Sequence, residues 1–121
     1  MDNNLPWLLI VDDDLNNLHS TKRVLESLKI NIHTAISGED ALKAIIQREF
    51  FLILMDVQMP EMDGFETTSL IRGNKNYRDI PIIFLTAISK EKSYVEAGYK
   101  EGAIDYLFKP VNPLILVSKI K

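Results

Sequence analysis

The chain has 121 residues, of which 46% are hydrophobic and 26% charged, the balance of an ordinary globular domain. It contains no cysteine, which excludes a disulfide framework and a thiolate metal site. The formal net charge is −3 and no basic stripe is present, so direct binding of nucleic acid by this segment is not expected.

Neither a membrane-spanning helix nor a signal peptide is indicated. The longest apolar run, Phe50 to Met55, is too short to cross a bilayer, and the N-terminus carries Asp2 rather than a cationic region. We therefore expect a cytoplasmic protein without membrane contact. The length fits one domain, residues 1–121, whose last helix is predicted to be truncated.

Apolar runs of strand length alternate with longer segments of helical period. Trp7 to Val11 is a continuous apolar run, typical of a strand that is buried on both faces. Leucines recur at helical spacing from Leu18 to Leu28, and Asp14 is the candidate N-cap of that helix. The weaker strand Asn31 to Ala35 is predicted near an edge of the sheet, because residues such as His33 are polar.

The middle of the chain repeats this alternation. Ser37 begins the second predicted helix, and Asp40 follows three residues later, as in a capping box. Phe51 to Met55 is the third predicted strand, and it ends at Asp56. A loop follows, and Phe65 to Arg72 is predicted to be a short helix.

The last third of the chain contains two more predicted strands. Ile80 to Leu85 is the fourth, ending at Thr86, and Ile104 to Phe108 is the fifth. Helices are predicted between them, at Lys90 to Glu101, and after them, at Asn112 to Lys121. Five strands that alternate with helices indicate an α/β domain built on a parallel sheet.

Carboxylate, hydroxyl and ammonium side chains stand at the carboxyl ends of four predicted strands. They are Asp12, Asp13, Asp56, Thr86 and Lys109. The carboxyl ends of parallel strands share one edge of the sheet, and right-handed crossovers place the first strand beside the third in the common order 2-1-3-4-5. We therefore expect these groups to converge in one pocket.

Such a pocket is suited to phosphoryl transfer. Three carboxylates and one ammonium leave two net negative charges, which a hard divalent cation neutralises; oxygen ligands favour Mg²⁺, for which Mn²⁺ can substitute. A carboxylate can attack phosphorus and form an aspartyl phosphate. The transferred group then needs positive charge and hydrogen-bond donors around its oxygens, and Lys109 and Thr86 are residues of the right types.

Four segments resemble the receiver domains of two-component response regulators, and together they extend over nearly the whole chain. They are LLIVDDDLNNL, LILMDVQMPEMDGFE, PIIFLTA and GAIDYLFKPVNP. The resemblance implies a flavodoxin-like, doubly wound, three-layer sandwich whose five parallel strands have the order 2-1-3-4-5. It also implies a phosphoryl-accepting signalling domain of a phosphorelay, which receives its phosphoryl group from the phosphohistidine of a histidine kinase or a phosphotransfer protein.

The resemblance assigns roles to single residues. Asp56 resembles the phosphoacceptor, and Thr86 and Lys109 resemble the ligands of the phosphoryl oxygens. Asp13 resembles the direct ligand of Mg²⁺, and Asp12 resembles the residue that contributes through water. All the residues that the chemistry needs are present.

Further positions follow from the same resemblance. Gln58 resembles the position whose backbone carbonyl completes the metal shell, and the Lys109–Pro110 bond is expected to be cis. Tyr106 resembles an aromatic switch that turns inward when Thr86 moves. An aromatic residue in a strand is more often core packing, and that interpretation of Tyr106 stays open.

The resemblance also implies partners. An output domain or partner protein is expected on the face formed by the fourth predicted helix, the fifth strand and the last helix, and a homodimer on phosphorylation is compatible with the family. No enzymatic activity beyond the domain's own phosphorylation and dephosphorylation is expected. The parent protein could be a hybrid kinase or carry an enzymatic output domain.

Two other functions stay open. A phosphatase of the dehalogenase type, with an aspartyl nucleophile, would want a second aspartate two residues after Asp56 as general acid, but that position is Gln58. A cofactor-binding flavodoxin-like domain would need a phosphate loop rich in Gly, Ser or Thr after the first strand. That loop is Asp12 to Asp14, which would repel a phosphate that lacks a metal.

Overall fold

The computed structural model describes residues 5–86, 105–108 and 112–120. Strands and helices alternate along these residues. They are β1 (Trp7–Val11), α1 (Leu15–Leu25), β2 (Asn31–Ala35), α2 (Gly38–Gln47), β3 (Phe50–Asp56), α3 (Gly64–Arg72), β4 (Ile82–Thr86), β5 (Asp105–Phe108) and a last helix (Pro113–Ile120). The helix predicted at Lys90 to Glu101 lies outside the described residues.

The strands form a parallel sheet in the order β2-β1-β3-β4-β5. The prediction of an α/β fold with a parallel sheet is confirmed, and the first four strands have the predicted order. β5 pairs with β4 through its four described residues, with Thr86 opposite Phe108. Because β1 lies between β2 and β3, the direction of winding reverses there, and this reversal opens a crevice at the carboxyl edge of the sheet.

Helices cover both faces of the sheet. Successive side chains of a strand point to opposite faces, so β1 contributes Leu9 and Val11 to one core cluster and Leu8 and Ile10 to the other. The first cluster includes buried residues of α2 and α3, and the second includes residues of α1 and the last helix. All four of these β1 side chains are fully buried, as the continuous apolar run predicted.

The two predicted helix caps are present. The Asp14 carboxylate accepts the N–H groups of the second and third residues of α1, at 2.8 and 3.2 Å. The Ser37 hydroxyl accepts the N–H of Asp40 at 3.0 Å. The return bond of the capping box is shifted by one residue, because the Asp40 carboxylate accepts the N–H of Ile36 at 3.1 Å.

Among the element boundaries that differ from the prediction, two have a clear physical cause. β4 begins at Ile82 instead of Ile80, since Pro81 has no N–H to donate to a sheet. α3 begins at Gly64, one residue earlier than predicted, because the Asp63 carboxylate caps it by accepting a backbone N–H of the first turn at 2.8 Å. Among the helices that the structure describes, none has the length and apolar character needed to cross a membrane.

Candidate functional site

β1 and β3 deliver three aspartates to the carboxyl edge of the sheet. Val11 and Met55 are paired in the register of the two strands, and each is followed directly by an aspartate, Asp12 and Asp56. Asp13 comes next in the chain. One carboxylate oxygen from each of these three residues lies within 4.8 Å of the other two. We call the three residues the acidic cluster. The structure therefore brings together the three acids that the sequence predicted to converge.

The members of the acidic cluster differ in exposure. Asp12 is 1% exposed and Asp56 is 4% exposed, whereas Asp13 is exposed at the rim. Charged carboxylates are rarely buried without compensation, because burial removes them from water. The acidic cluster therefore combines two buried carboxylates with one that is exposed to solvent.

Backbone hydrogen bonds hold Asp12 in place. Its N–H donates to the Ala35 carbonyl of β2 at 3.0 Å, and its carboxylate accepts the N–H of Asp14 at 2.9 Å. Asp14 is itself fixed as the N-cap of α1. The position of Asp12 is therefore set by a backbone contact to β2 and by the turn that leads from β1 into α1.

The loop after β3 closes back onto the strand that carries Asp56. The N–H of Gly64 donates to the Val57 carbonyl at 2.8 Å, and the N–H of Val57 donates to the Leu85 carbonyl at 3.1 Å. A Cβ at Gly64 would collide with the Asp56 carbonyl oxygen and would lie 3.0 Å from the Met55 side chain. Only glycine fits at this distance from β3, so Gly64 allows the loop to pack against the backbone of Asp56.

The sequence pattern predicts only a loop in this segment and indicates no role in the site for Asp63 or Gly64. A signal was present, because Asp63 precedes Glu66 by three residues, the spacing of a helix N-cap and its third helical residue. The loop also contains Glu61, whose φ of 68° lies in the left-handed region. A short loop with such a residue can reverse direction sharply enough to return to β3.

Thr86 and Gln58 lie at the same edge of the sheet. Thr86 is the last residue of β4 and is fully buried, and its neighbour Leu85 is paired with Asp56. Gln58 stands two residues after Asp56, and its side chain is exposed. Thr86 therefore ends the strand next to the one that carries Asp56, and Gln58 is on the loop that follows Asp56.

The remaining predicted site residues fall on parts of the chain that are not described. Lys109 and Pro110 lie outside the described residues, and so does the side chain of Tyr106. The backbone of Tyr106 belongs to β5 and is paired with Phe84 of β4. The roles assigned to these residues, and the cis Lys109–Pro110 bond, stay predictions.

The donor set of the acidic cluster fits a hard divalent cation. All three side chains offer carboxylate oxygens, the ligands that Mg²⁺ and Mn²⁺ prefer over soft nitrogen or sulfur donors. Two unit charges separated by 4.8 Å, the upper limit of the distances within the acidic cluster, repel each other by about 3.5 kcal/mol at an effective dielectric constant of 20. A bound cation would offset this repulsion, and it would also bring positive charge next to Asp56.

Comparison with known protein families agrees with this geometry. The sequence model of the response regulator receiver domain matches residues 8–121. The chain is similar to the transcriptional regulatory protein YvrH of Bacillus subtilis, with 43% identity over 115 residues that cover 94% of this chain and 47% of that protein. It is also similar to the transcriptional regulatory protein SrrA of Staphylococcus aureus, with 37% identity over 114 residues, 94% of this chain and 46% of that protein.

The chain thus spans about half the length of these two relatives. Solved structures show the same similarity at the level of the fold. A two-component response regulator from Clostridium difficile superposes with a TM-score of 0.88 and is 32% identical, and the match covers 96% of this chain and 93% of that one.

Proposed function

The chain belongs to the family of response regulator receiver domains of two-component systems, and from this we propose that Asp56 is phosphorylated by a histidine kinase or a phosphotransfer protein. The observation that supports this proposal most directly is the acidic cluster at the carboxyl edge of the sheet, with its oxygens within 4.8 Å of one another. Asp56 does not serve as a helix N-cap, because the residues that follow it form a loop instead of a helix.

We propose that the acidic cluster holds Mg²⁺, with Asp13 as a direct ligand and Asp12 acting through water. Asp56 and the backbone carbonyl of Gln58 would complete the protein's contribution. When bound, the cation supplies positive charge against the oxygens of the transferring phosphoryl group. The hydrogen bonds that fix Asp12 would then hold its carboxylate in position toward a metal-bound water.

In the proposed reaction, a carboxylate oxygen of Asp56 attacks the phosphorus of the phosphohistidine. A phosphorus–oxygen bond forms while the phosphorus–nitrogen bond breaks, and the imidazole of the donor keeps the electron pair of the broken bond. The hydroxyl of Thr86 would donate to one phosphoryl oxygen, and Lys109 would pair with another. The burial of Asp56 limits the access of water to the acyl phosphate.

The domain is a signalling switch. We propose that phosphorylation draws Thr86 toward the phosphoryl group, that Tyr106 fills the vacated space, and that the altered face recruits the output partner. YvrH and SrrA are transcriptional regulatory proteins about twice as long as this chain. On that ground the output that we favour is a DNA-binding domain or partner, in a cytoplasmic pathway that begins at a histidine kinase.

The phosphatase alternative is not favoured. Such an enzyme would need a proton donor two residues after its nucleophile, and Gln58 has no ionisable proton. The flavodoxin-like alternative is weakened by the acidic cluster, which occupies the place where a phosphate loop would bind its ligand.

Phosphorylation by a small acyl phosphate tests the proposal. With Mg²⁺ present, intact mass spectrometry should show one added phosphoryl group, and no such group should appear with chelator or in Asp56→Asn. Asp63→Asn is the matched control. It makes the same substitution at an exposed aspartate seven residues after Asp56, and asparagine can still cap α3. Labelling of Asp56→Asn at the level of the parent protein would overturn the assignment of the acceptor.

A further inference from the structure

A second cluster of interacting side chains lies at the opposite end of the sheet from the acidic cluster. Its members are near the amino ends of β1 and β3 and on the edge strand β2. The guanidinium carbon of Arg48 lies 3.7 Å from the ring centroid of Trp7, and the Arg48 Nε–H donates to Nδ1 of His33 at 3.1 Å. The imidazole is edge-on to Trp7 and Phe50, with centroid distances of 6.4 and 5.8 Å.

We propose that the hydrogen bond from Arg48 to His33 is a pH-sensitive latch, which fastens β2 to the loop between α2 and β3 and opens when the imidazole is protonated. This inference is independent of the phosphoryl chemistry proposed above. It concerns the retention of an edge strand, and it would hold for this domain whether or not Asp56 is phosphorylated.

The chemistry of imidazole makes the latch sensitive to protons. Nδ1 can accept the Arg48 N–H only through a free lone pair, and imidazolium carries a proton on both nitrogens. Protonation of His33 would therefore replace an acceptor with a donor that faces a guanidinium. It would also place two positive charges next to each other, which repel. Both effects weaken the same contact.

Charged and neutral groups from every neighbouring element bear on His33. Its partial burial lowers the pKa of His33 most, the guanidinium of Arg48 lowers it further, and the carboxylate of Asp40 on α2 opposes both effects. The faces toward β1 and β3 are occupied by the uncharged rings of Trp7 and Phe50. Folding therefore favours the neutral imidazole, which is the form that closes the latch.

Because the pKa of His33 is lowered in the folded chain, the stability that the latch contributes decreases as the pH falls. The folded chain holds the proton of His33 less tightly than the unfolded chain, in which the pKa is ordinary, about 6.5. The contribution of the latch to stability is complete above this ordinary value. It is lost as the pH falls below that value and passes through the lowered pKa of the folded state.

β2 is the element that such a latch would affect. It lies at the edge of the sheet and pairs only with β1 among the described strands. Of its five residues, only Ala35 is buried. Few buried apolar contacts give a segment low local stability, so the loss of one side-chain tie should increase its opening. Because Arg48 is exposed and its charge is screened by water, we expect an increase of several-fold and not unfolding of the domain.

Two readouts test the latch in the whole chain. Trp7 is the single tryptophan, so its emission reports the charge of its neighbours. We expect an emission transition with a midpoint below about pH 6.5. Amide hydrogen exchange in β2, corrected for the intrinsic effect of pH and compared with β3, should become several-fold faster across the same transition.

Matched variants separate the latch from other titrations. His33→Gln keeps an acceptor for Arg48 but does not titrate, so both transitions should disappear. His19→Gln removes the other histidine, which is exposed on α1, and should leave both transitions unchanged. Arg48→Met provides an independent variant in which His33 still titrates. In Arg48→Met, exchange in β2 should already be fast at neutral pH and should not respond to protonation.

The outcomes divide clearly. Transitions that persist in His33→Gln, or that disappear in His19→Gln, would overturn the proposal. So would exchange in β2 of the parent chain that shows no pH dependence beyond the intrinsic one. If His33→Gln does not fold, Arg48→Met and a ring-proton titration of His33 in the parent chain decide the question. An imidazole that titrates with no change in β2 exchange would refute the latch.

Discussion

Removing one charge from the acidic cluster should stabilise the metal-free protein. Asp56→Asn keeps the size of the side chain and removes one of three negative charges. The most buried pair, Asp12 and Asp56, is 1% and 4% exposed, and the oxygens lie within 4.8 Å. At that distance the repulsion is about 3.5 kcal/mol for an effective dielectric constant of 20, and about 0.9 kcal/mol in bulk water.

The net gain in the free energy of unfolding should be smaller than about 3.5 kcal/mol. Asp56 makes further interactions in the folded protein that the substitution would weaken, and Asp13 is screened by water. We expect the free energy of unfolding to rise by about 1–3 kcal/mol at low ionic strength, and the gain to shrink as added salt screens the charges.

Urea unfolding in the presence of chelator measures this change. Asp14→Asn is the matched control, since Asp14 is exposed next to the acidic cluster and asparagine caps a helix as well as aspartate. Its free energy of unfolding should stay within about 0.5 kcal/mol of the parent value. Addition of Mg²⁺ at one hundred times its dissociation constant should stabilise the parent by about 2.7 kcal/mol.

Asp56→Asn should gain less from Mg²⁺, so the cation should reduce or reverse the difference between the two proteins. Asp56→Asn that is no more stable in chelator than Asp14→Asn would refute the proposed repulsion. Equal stabilisation of Asp56→Asn and the parent by Mg²⁺ would show that the Asp56 carboxylate does not contribute to binding.

Two further pairs of substitutions test the packing of the helices, each by urea unfolding. A Cβ at Gly38 would collide with the Thr67 hydroxyl and lie 2.9 Å from the Met62 sulfur, so Gly38→Ala should lower the free energy of unfolding by about 1–3 kcal/mol. At Gly73, φ is −68° and an added Cβ would lie 3.4 Å from the Leu70 carbonyl oxygen, an ordinary contact distance, so alanine should be neutral or stabilise by up to about 1 kcal/mol. The Thr68 hydroxyl is buried and has no hydrogen-bond partner among the described residues, so Thr68→Val should stabilise by about 1 kcal/mol. Thr67→Val loses a 2.8 Å bond to a backbone carbonyl and should destabilise by about 1 kcal/mol. If the two substitutions of a pair changed the free energy of unfolding equally, the contacts described for that pair would be contradicted.

The sequence by itself determined most of the fold. A strand that is covered by helices on both faces must be apolar at every position, so an uninterrupted run such as Trp7–Val11 identifies a strand and its bounds. Polar residues in Asn31–Ala35 identified an edge strand, and β2 does lie at the edge. The same pattern predicted the acidic cluster, because parallel strands that end in aspartate present their carboxylates at one edge.

The tertiary structure alone decided how those side chains are held. Asp12 donates to Ala35, and Arg48 donates to His33, across elements that are far apart along the chain. The close approach of Gly64 to Asp56 likewise depends on how the loop after β3 returns. Hydrophobic periodicity specifies which face a side chain occupies. It carries no information on the distance and orientation between polar atoms of different elements, which follow only once the crossovers and loops have placed those elements in space.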